Sequence, residues 1–411
     1  MISKRRELLF FTLFSLAVIA ASFSILLSYW IFGDSYLEVI FFKSGKSIFT
    51  DFSDNYIQAQ NFDAYSEHRI IYPPIVALFF RGISFALPDY LRDLEYSSRS
   101  LYQTAPISWI IYGIFIAVSV VIFAVSACKM AENYPWYLKL IILLCSVLTY
   151  PLMYAFQRGN TLILASSLIA FFLAFYKSKN ILLNELSIIA LSLSVSIKIY
   201  PIVFALFILK NKDWKSLLKA GFYTFVLLIL PFIFYGGLDA MEQLFASTFR
   251  FTTSTSTDYS TKLFTIDQLL EYLGLIPSVA KNILSWFFIL LFVILSFICR
   301  RKYQAFACYG IILLYLSSSR ALYCISFLVP SLISFLSEEK DRSSFLSIIP
   351  IVLMLYLNGF YNFVSSINGF NYSFLIGSVL FLVIFLPTEL WSFLRLRNQK
   401  NQLVKRGGSE V

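Results

Sequence analysis

Charge is scarce in this sequence. Only 14% of the 411 residues are Asp, Glu, Lys or Arg, whereas 59% are hydrophobic, and the mean hydropathy is +0.75. Soluble globular chains carry about 25% charged residues, so the composition excludes a soluble protein and predicts many membrane-spanning segments. The net charge of +10 is then a matter of membrane topology, in which Lys and Arg collect on one side, and does not indicate nucleic-acid binding.

Cysteine and histidine are also sparse, with five cysteines and the single histidine His68. The cysteines are Cys128, Cys145, Cys299, Cys308 and Cys324. All of them fall in apolar stretches, and their spacing matches neither a metal site nor a secreted disulfide framework. We interpret them as free thiols in the protein core.

Apolar stretches dominate what is present, and we count twelve. They run over about 8–32, 106–128, 138–156, 161–176, 181–197, 201–210, 220–236, 282–299, 303–317, 321–337, 344–361 and 373–390. The first follows a basic N terminus and is too long for a signal-peptide core, so we expect a retained anchor. Several others are shorter than the roughly 20 residues of a straight span. The prediction is an all-α polytopic membrane protein of about 12 transmembrane helices, some of them partial.

The distribution of charge predicts the sidedness. Alternating the spans from an inside N terminus places most of the 33 Lys and Arg residues in the cytoplasm, with both termini, as the positive-inside rule requires. This holds only if the segment 72–88 does not cross, so we interpret it as a juxtamembrane or re-entrant helix. Two outer loops are then long, 33–105 and about 237–281, and residues 1–411 are expected to form one integral domain.

The first outer loop concentrates the polar chemistry. A carboxylate such as Asp51 or Asp54, next to the membrane edge, is held partly out of water, which favours general-base chemistry. The two lie on roughly the same face if this segment is helical. A solvated acidic loop is the open alternative. Later in the loop, Tyr72-Pro73-Pro74 fixes two consecutive φ angles and directs the chain into the next helix.

Three cations recur where predicted spans reach the outer face, namely Arg158, Lys198 and Arg320. A cation at the membrane edge needs a counter-charge. The spans offer hardly any acid apart from Glu185, so we expect an anionic ligand such as a lipid phosphate or diphosphate. The alternative is that these long side chains extend to lipid headgroups.

These motifs occur in an order that resembles glycosyltransferase family 87, a branch of the GT-C superfamily that includes polyprenyl-phosphate-mannose-dependent mannosyltransferases. The resemblance rests on Asp51-Phe52 with Tyr56 and Ala59, Tyr72-Pro73-Pro74, Arg158-Gly159-Asn160, and Lys198-Ile199-Tyr200-Pro201 before a Lys-rich turn with Trp214. It covers the first 220 residues, and 317–330 matches only loosely. Two departures are Gln157-Arg158-Gly159-Asn160, where the family often has Gly-Gln-x-Asn, and Leu322-Tyr323, where it has an aromatic residue and a histidine.

The resemblance implies a GT-C-type bundle with juxtamembrane helices in the first outer loop and an aspartate there as the catalytic base. Carried over, that base is Asp51, with Asp54 in reserve. It also implies an inverting transfer of a sugar, mannose by kinship, from a polyprenyl-phosphate donor to a lipid-linked or glycan acceptor. The site is expected at the extracytoplasmic face of the plasma membrane, in glycolipid biosynthesis of the cell envelope, without a metal or cofactor. Oligomeric state is not indicated.

Substrate contacts are expected from ten side chains, in which the cations bind phosphate and rings stack on a sugar. They are Tyr56, His68, Arg69, Tyr72, Arg158, Asn160, Lys198, Tyr200, Arg320 and Tyr323. A transporter or lipid flippase is the rival hypothesis, and a membrane scaffold without turnover is a third. Transporters place ionisable groups near the middle of the membrane, whereas charge here clusters at the outer edge.

Overall fold

The computed structural model describes residue 30 and the ranges 48–60, 63–65, 70–92, 94–254, 265–316, 322–338, 345–356 and 374–384. Within these ranges the chain is all-helical and contains no β-strand, as the composition and hydropathy predict. The predicted anchor at 8–32 lies outside the described residues except for Trp30, and three predicted site residues, His68, Arg69 and Arg320, also lie outside them.

The helices are numbered here in chain order. They are α1 Thr50–Ala59, α2 Pro74–Phe85, α3 Arg99–Thr104, α4 Pro106–Met130, α5 Trp136–Val147, α6 Tyr150–Arg158, α7 Leu162–Phe175, α8 Ile181–Ile197, α9 Ala205–Lys210, α10 Trp214–Ile229, α11 Leu238–Ser254, α12 Ile266–Tyr272, α13 Ser278–Ile298, α14 Lys302–Leu316, α15 Val329–Glu338, α16 Phe345–Tyr356 and α17 Phe374–Ile384. Short 3₁₀ turns cover Asp89–Leu91, Tyr96–Ser98, Tyr200–Phe204, Leu230–Tyr235 and Leu322–Leu328.

Three of the described helical segments are long and apolar enough to cross a membrane. They are Pro106–Met130, Trp214–Tyr235 and Ala280–Ile298, and the bent pair α5 and α6 is a fourth candidate. Other predicted spans, including α7 and α8, are helices of 10–17 residues, shorter than the roughly 20 residues of a straight crossing. The described residues therefore give three or four candidate spans, and the count of about 12 stays a prediction.

Helix α2 occupies the segment 72–88, which the charge distribution requires to stay on one side. Pro74 begins the helix at a position where its missing N–H costs no hydrogen bond. Its 12 residues extend about 18 Å at 1.5 Å per residue, which is less than the hydrocarbon thickness. It packs against α1, so the first outer loop contributes two helices that lie against each other.

The bend between α5 and α6 directs the chain toward α1. The two helices meet at 62°, and Thr149 between them is extended, with ψ 140°. Pro151 has no N–H to donate to the Val147 carbonyl, so a continuous helix would lose a hydrogen bond there. After the bend, α6 carries Arg158, its last residue, to the N-terminal end of α1.

The core forms around α7, whose side chains are buried on almost every side and which packs against α4 and α8. A helix that is apolar all round belongs inside a bundle. Helix α14 is similarly enclosed by α13 and α15. Four of the five free cysteines are buried, as predicted, but the prediction is wrong for Cys128, which is exposed because it lies on an outward-facing side of α4.

Candidate active site

The N-terminal end of α1 is fixed against α4 and α6 by Phe49. Its amide donates to the Gln157 carbonyl over 2.6 Å, and its buried ring stacks on Tyr112 with centroids 4.7 Å apart. Phe49 has φ 53°, a left-handed conformation that is strained for a bulky residue. The packing maintains this conformation and sets the direction in which α1 begins.

Gly159 lets the end of α6 approach α1 closely. The glycine has φ +68°, and the amide of Asn160 donates back to the Ala155 carbonyl at 3.2 Å, the arrangement that commonly ends a helix with glycine. A Cβ atom at this position would lie 2.8 Å from the Cβ of Phe52. Glycine is therefore required both for the backbone conformation and for the contact with α1.

This approach brings three predicted site residues together around one carboxylate. Oδ1 of Asp51 accepts from Nη2 of Arg158 at 2.5 Å, and Oδ2 accepts from Nδ2 of Asn160 at 2.6 Å. The Asp51 and Arg158 side chains are 12% and 22% exposed, so the pair is largely shielded. A carboxylate has about four acceptor positions. Both oxygens of Asp51 are oriented and each keeps a position for another donor.

Asn160 is fixed by a second hydrogen bond. Its Oδ1 accepts from the amide of Leu162 at 3.0 Å, at the first turn of α7, and the residue is buried. Because the oxygen faces a backbone amide, the side-chain NH₂ must face Asp51. The sequence analysis assigns Asn160 to substrate binding, whereas the structure gives it the role of orienting Asp51.

Aromatic side chains line the site beside this carboxylate. Tyr323 lies near enough to interact electrostatically with Asp51, Arg158 and Tyr72. Its ring stacks with that of Tyr154, with centroids 6.1 Å apart and planes 23° apart. The structure therefore places Tyr323 and Tyr72, both predicted as substrate contacts, in the surroundings of Asp51.

Lys198 is the cation of the site that lacks an acidic partner within the described part of the chain. It follows the last residue of α8, and its Nζ lies 3.8 Å from the centre of the Tyr72 ring, a favourable cation–π arrangement. The hydroxyl of Tyr200 lies 3.7 Å from Sγ of Cys324 and interacts electrostatically with Tyr72 and Tyr323. The Lys198 motif thus belongs to the same site.

An apolar cavity of about 360 Å³ is lined in part by residues that are close in sequence to these site residues. Its walls come from α2, α4, α7 and α8 and include Ile75, Val76, Phe79, Phe115, Leu164 and Ile197. Thr161 also lines it and directly follows Asn160. Ile197 precedes Lys198, and Ile75 lies three positions after Tyr72. The same three chain segments therefore contribute residues to both the polar site and the cavity wall.

Tyr56 and Asp54 have partners that do not belong to this cluster. Tyr56 is fully buried, its ring is stacked 4.4 Å from Tyr102, and its hydroxyl donates to the Leu91 carbonyl. This interior position gives no support to the prediction that Tyr56 stacks on a sugar. Asp54 pairs with Arg99 at 3.1 Å, so the reserve carboxylate has a partner of its own.

The structure shows a counter-charge for Arg158 that the search for acids within the predicted spans did not include. This counter-charge comes from Asp51 in the first outer loop. Phe49 and Tyr154 are residues of the site that the sequence did not point to, whereas Gly159 appears in the Arg158-Gly159-Asn160 motif without a role of its own. A glycine directly after a helical stretch is a recognisable C-terminal signal, but the sequence offers no comparable signal for Phe49 or Tyr154.

Comparison with known protein families shows which family the chain belongs to. The family model of glycosyltransferase family 87 matches residues 70–319. No curated protein matches the chain. The matched segment contains Tyr72, Arg158, Asn160 and Lys198, begins after Asp51 and ends before Tyr323.

These findings define the class of the protein as a membrane glycosyltransferase. Because the match spans more than half of the chain, the protein belongs to glycosyltransferase family 87. Asp51 lies outside the matched segment, so its place in the site rests on the geometry alone.

Proposed function

We propose that this protein is an inverting glycosyltransferase that moves a sugar, with mannose as the first candidate, from a polyprenyl-phosphate donor to a lipid-linked or glycan acceptor. The observation that carries the proposal is the Asp51 carboxylate, which Arg158 and Asn160 hold in one orientation in a site that is connected to Lys198 through Tyr323 and Tyr72. The family supplies the reaction class, and the named donor and acceptor are our inference.

In the proposed reaction, Asp51 acts as the general base. The acceptor hydroxyl attacks the anomeric carbon of the sugar and transfers its proton to Asp51. The bond between that carbon and the donor phosphate breaks, and its electron pair leaves with the phosphate. Attack opposite the leaving group inverts the configuration. An oriented base fits this single displacement because the acceptor must approach in one direction.

The leaving phosphate gains negative charge as the bond breaks, so cations that are already in place stabilise the transition state. Lys198 is the first candidate, since its ammonium rests on Tyr72 and has no acidic partner among the described residues. Arg158, which pairs with Asp51, is the second candidate. With these cations in place, we expect transfer without a metal or cofactor.

The cavity supports a lipid-linked donor rather than a soluble one. Its walls are almost entirely apolar, and burying sugar hydroxyls there without partners would cost free energy. A hydrocarbon chain suits such walls, and the phosphate end of that chain would lie by Lys198. The positive-inside distribution of charge favours a site on the extracytoplasmic face of the plasma membrane.

The test is transfer by the purified protein in lipid nanodiscs. Radiolabelled polyprenyl-phosphate mannose is supplied with a membrane lipid extract, and we expect a new labelled glycolipid, with equal yield in EDTA. In sealed vesicles, movement of the labelled donor across the bilayer without any new product would instead support the transporter or flippase. Neither product nor movement with this donor would overturn the proposed donor.

A further inference from the structure

Thr161 carries a hydroxyl that finds no hydrogen-bond partner among the described residues. The residue is 3% exposed, and its Oγ1 makes no hydrogen bond within the described part of the chain. It directly precedes α7 but makes no side-chain hydrogen bond to the helix N terminus. Buried hydroxyls are nearly always paired in native proteins, and of the described buried hydroxyls without a partner only that of Thr161 belongs to a residue that lines the cavity.

Other hydroxyls around α7 are paired. Ser166 and Ser167 both donate to the Ile163 carbonyl, at 3.0 and 2.9 Å, and Ser194 of α8 donates to the Ala165 carbonyl at 2.9 Å. The surroundings therefore satisfy buried hydroxyls readily. Thr161 differs from these serines because it lines the cavity, where a bound molecule would supply the partner.

The position of Thr161 indicates which chemical class of molecule would bind there. Among the described residues that line the cavity, only Thr161 is polar. One neighbour in sequence, Asn160, binds Asp51, and on the other side α7 forms an apolar wall. The hydroxyl thus lies between the polar site and the apolar cavity. A molecule that fills both has a polar head and a hydrocarbon chain, with an oxygen at the point where they join.

We propose that the Thr161 hydroxyl binds the donor where its phosphate joins the lipid chain, donating a hydrogen bond to a phosphate oxygen. This inference rests on the proposed function, since it takes the lipid phosphate to be the donor. Hydrogen bonds to ionised phosphate oxygens are stronger than those between neutral groups. Thr161 would therefore both recognise a phosphate-bearing lipid and fix its distance from Asp51.

The test compares Thr161→Val with wild type, using farnesyl phosphate and farnesol as probes. Valine keeps the shape and removes only a hydroxyl that has no partner, so the ligand-free variant should unfold at the same temperature as wild type or higher. We expect its affinity for farnesyl phosphate to fall roughly three- to tenfold. Affinity for farnesol should not change, because that probe lacks the phosphate.

Two further variants keep the test decisive. Thr161→Ser retains the hydroxyl and should bind farnesyl phosphate like wild type. If Thr161→Val does not fold, Thr161→Ala replaces it, and the same loss of affinity for farnesyl phosphate is expected. Ser167→Ala is the matched control, since it removes a paired hydroxyl from the same helix and should leave probe affinity unchanged.

Equal affinity of Thr161→Val and wild type for farnesyl phosphate would overturn the role of Thr161 and leave the proposed function intact. An equal loss for both probes would also overturn it, because the effect would then be one of cavity shape. Wild-type protein that binds neither probe and forms no glycolipid would overturn the lipid-phosphate donor, and this role of Thr161 with it.

Discussion

Asp51 and Asp54 lie one turn apart on α1, yet the fold uses them differently. Asp51 is paired with Arg158, 107 positions later in the chain, and Asp54 with Arg99, 45 positions later and within the same outer loop. The first pair joins the loop to the end of α6, and the second joins the loop to itself. Two aspartates on the same helix therefore differ in the partners that their carboxylates bind.

The comparison shows why the position of a charge in the sequence does not identify the base. Both side chains are partly buried, 12% exposed for Asp51 and 23% for Asp54. Asp51 also binds Asn160 and interacts electrostatically with Tyr323, which connects it to the other residues of the site. We therefore assign the base to Asp51 and a structural role to the Asp54–Arg99 pair.

The largest expected effect separates these two carboxylates directly. Asp51→Asn should insert in the membrane and lower sugar transfer by about 10² or more, the usual scale for loss of a general base. Asp54→Asn should keep transfer within a few-fold of wild type. Initial transfer rates in nanodiscs give the comparison, and undiminished turnover by Asp51→Asn would reject the assignment.

The next effect concerns the donor rather than the base. Lys198→Met removes the ammonium but keeps an unbranched chain over Tyr72, so the KM for the donor should rise roughly 10- to 100-fold, the worth of a hydrogen bond to a charged group. Lys179→Met, at an exposed lysine, is the control. An unchanged donor KM for Lys198→Met would remove it from the phosphate site.

A glycine pair tests the close approach that brings Asp51 to Arg158. Gly159 and Gly274 both have φ +68°, but a Cβ would clash with Phe52 only at Gly159 and meets open space at Gly274. We expect Gly159→Ala to destabilise by on the order of 2 kcal/mol or more and Gly274→Ala by about 1 kcal/mol. Unfolding midpoints measure the difference, and equal shifts would mean that the contact with α1 is unimportant.

The smallest effect is expected at an ion pair on the surface. Lys129 and Glu132 pair with side chains that are 38% and 56% exposed, where water and salt screen the attraction. Replacing Glu132 with Gln should leave both transfer and the unfolding midpoint unchanged. A clear loss of transfer would show that the Asp51 variants report a general effect of altered charge.

Much of the helical architecture follows from the sequence. The stretch predicted at 106–128 is α4, those at 161–176 and 181–197 are α7 and α8, and 72–88 contains the short helix α2. These succeed because long apolar runs and paired prolines act locally. How many of the twelve stretches span the membrane stays a prediction, because hydropathy reports composition and several of these helices are short.

The site is harder to predict from the sequence than the helices are, because its geometry depends on contacts between segments that are distant in the chain. Order along the chain selected Asp51, Arg158, Asn160 and Lys198, but it could not show that Arg158 pairs with Asp51 or that Asn160 orients it. Tyr56 illustrates the limit, since a tyrosine beside loop carboxylates is compatible with both stacking on a sugar and full burial. Only packing against Tyr102 distinguishes them.

The central claim is that Asp51 and Arg158 act as one unit, and a double-mutant cycle on sugar transfer tests it most directly. The variants are Asp51→Asn, Arg158→Gln and the two combined, all measured in the same nanodiscs. Residues that act together give non-additive losses, so we predict that the double variant transfers sugar about as slowly as Asp51→Asn alone. Losses that multiply in the double variant would contradict the account.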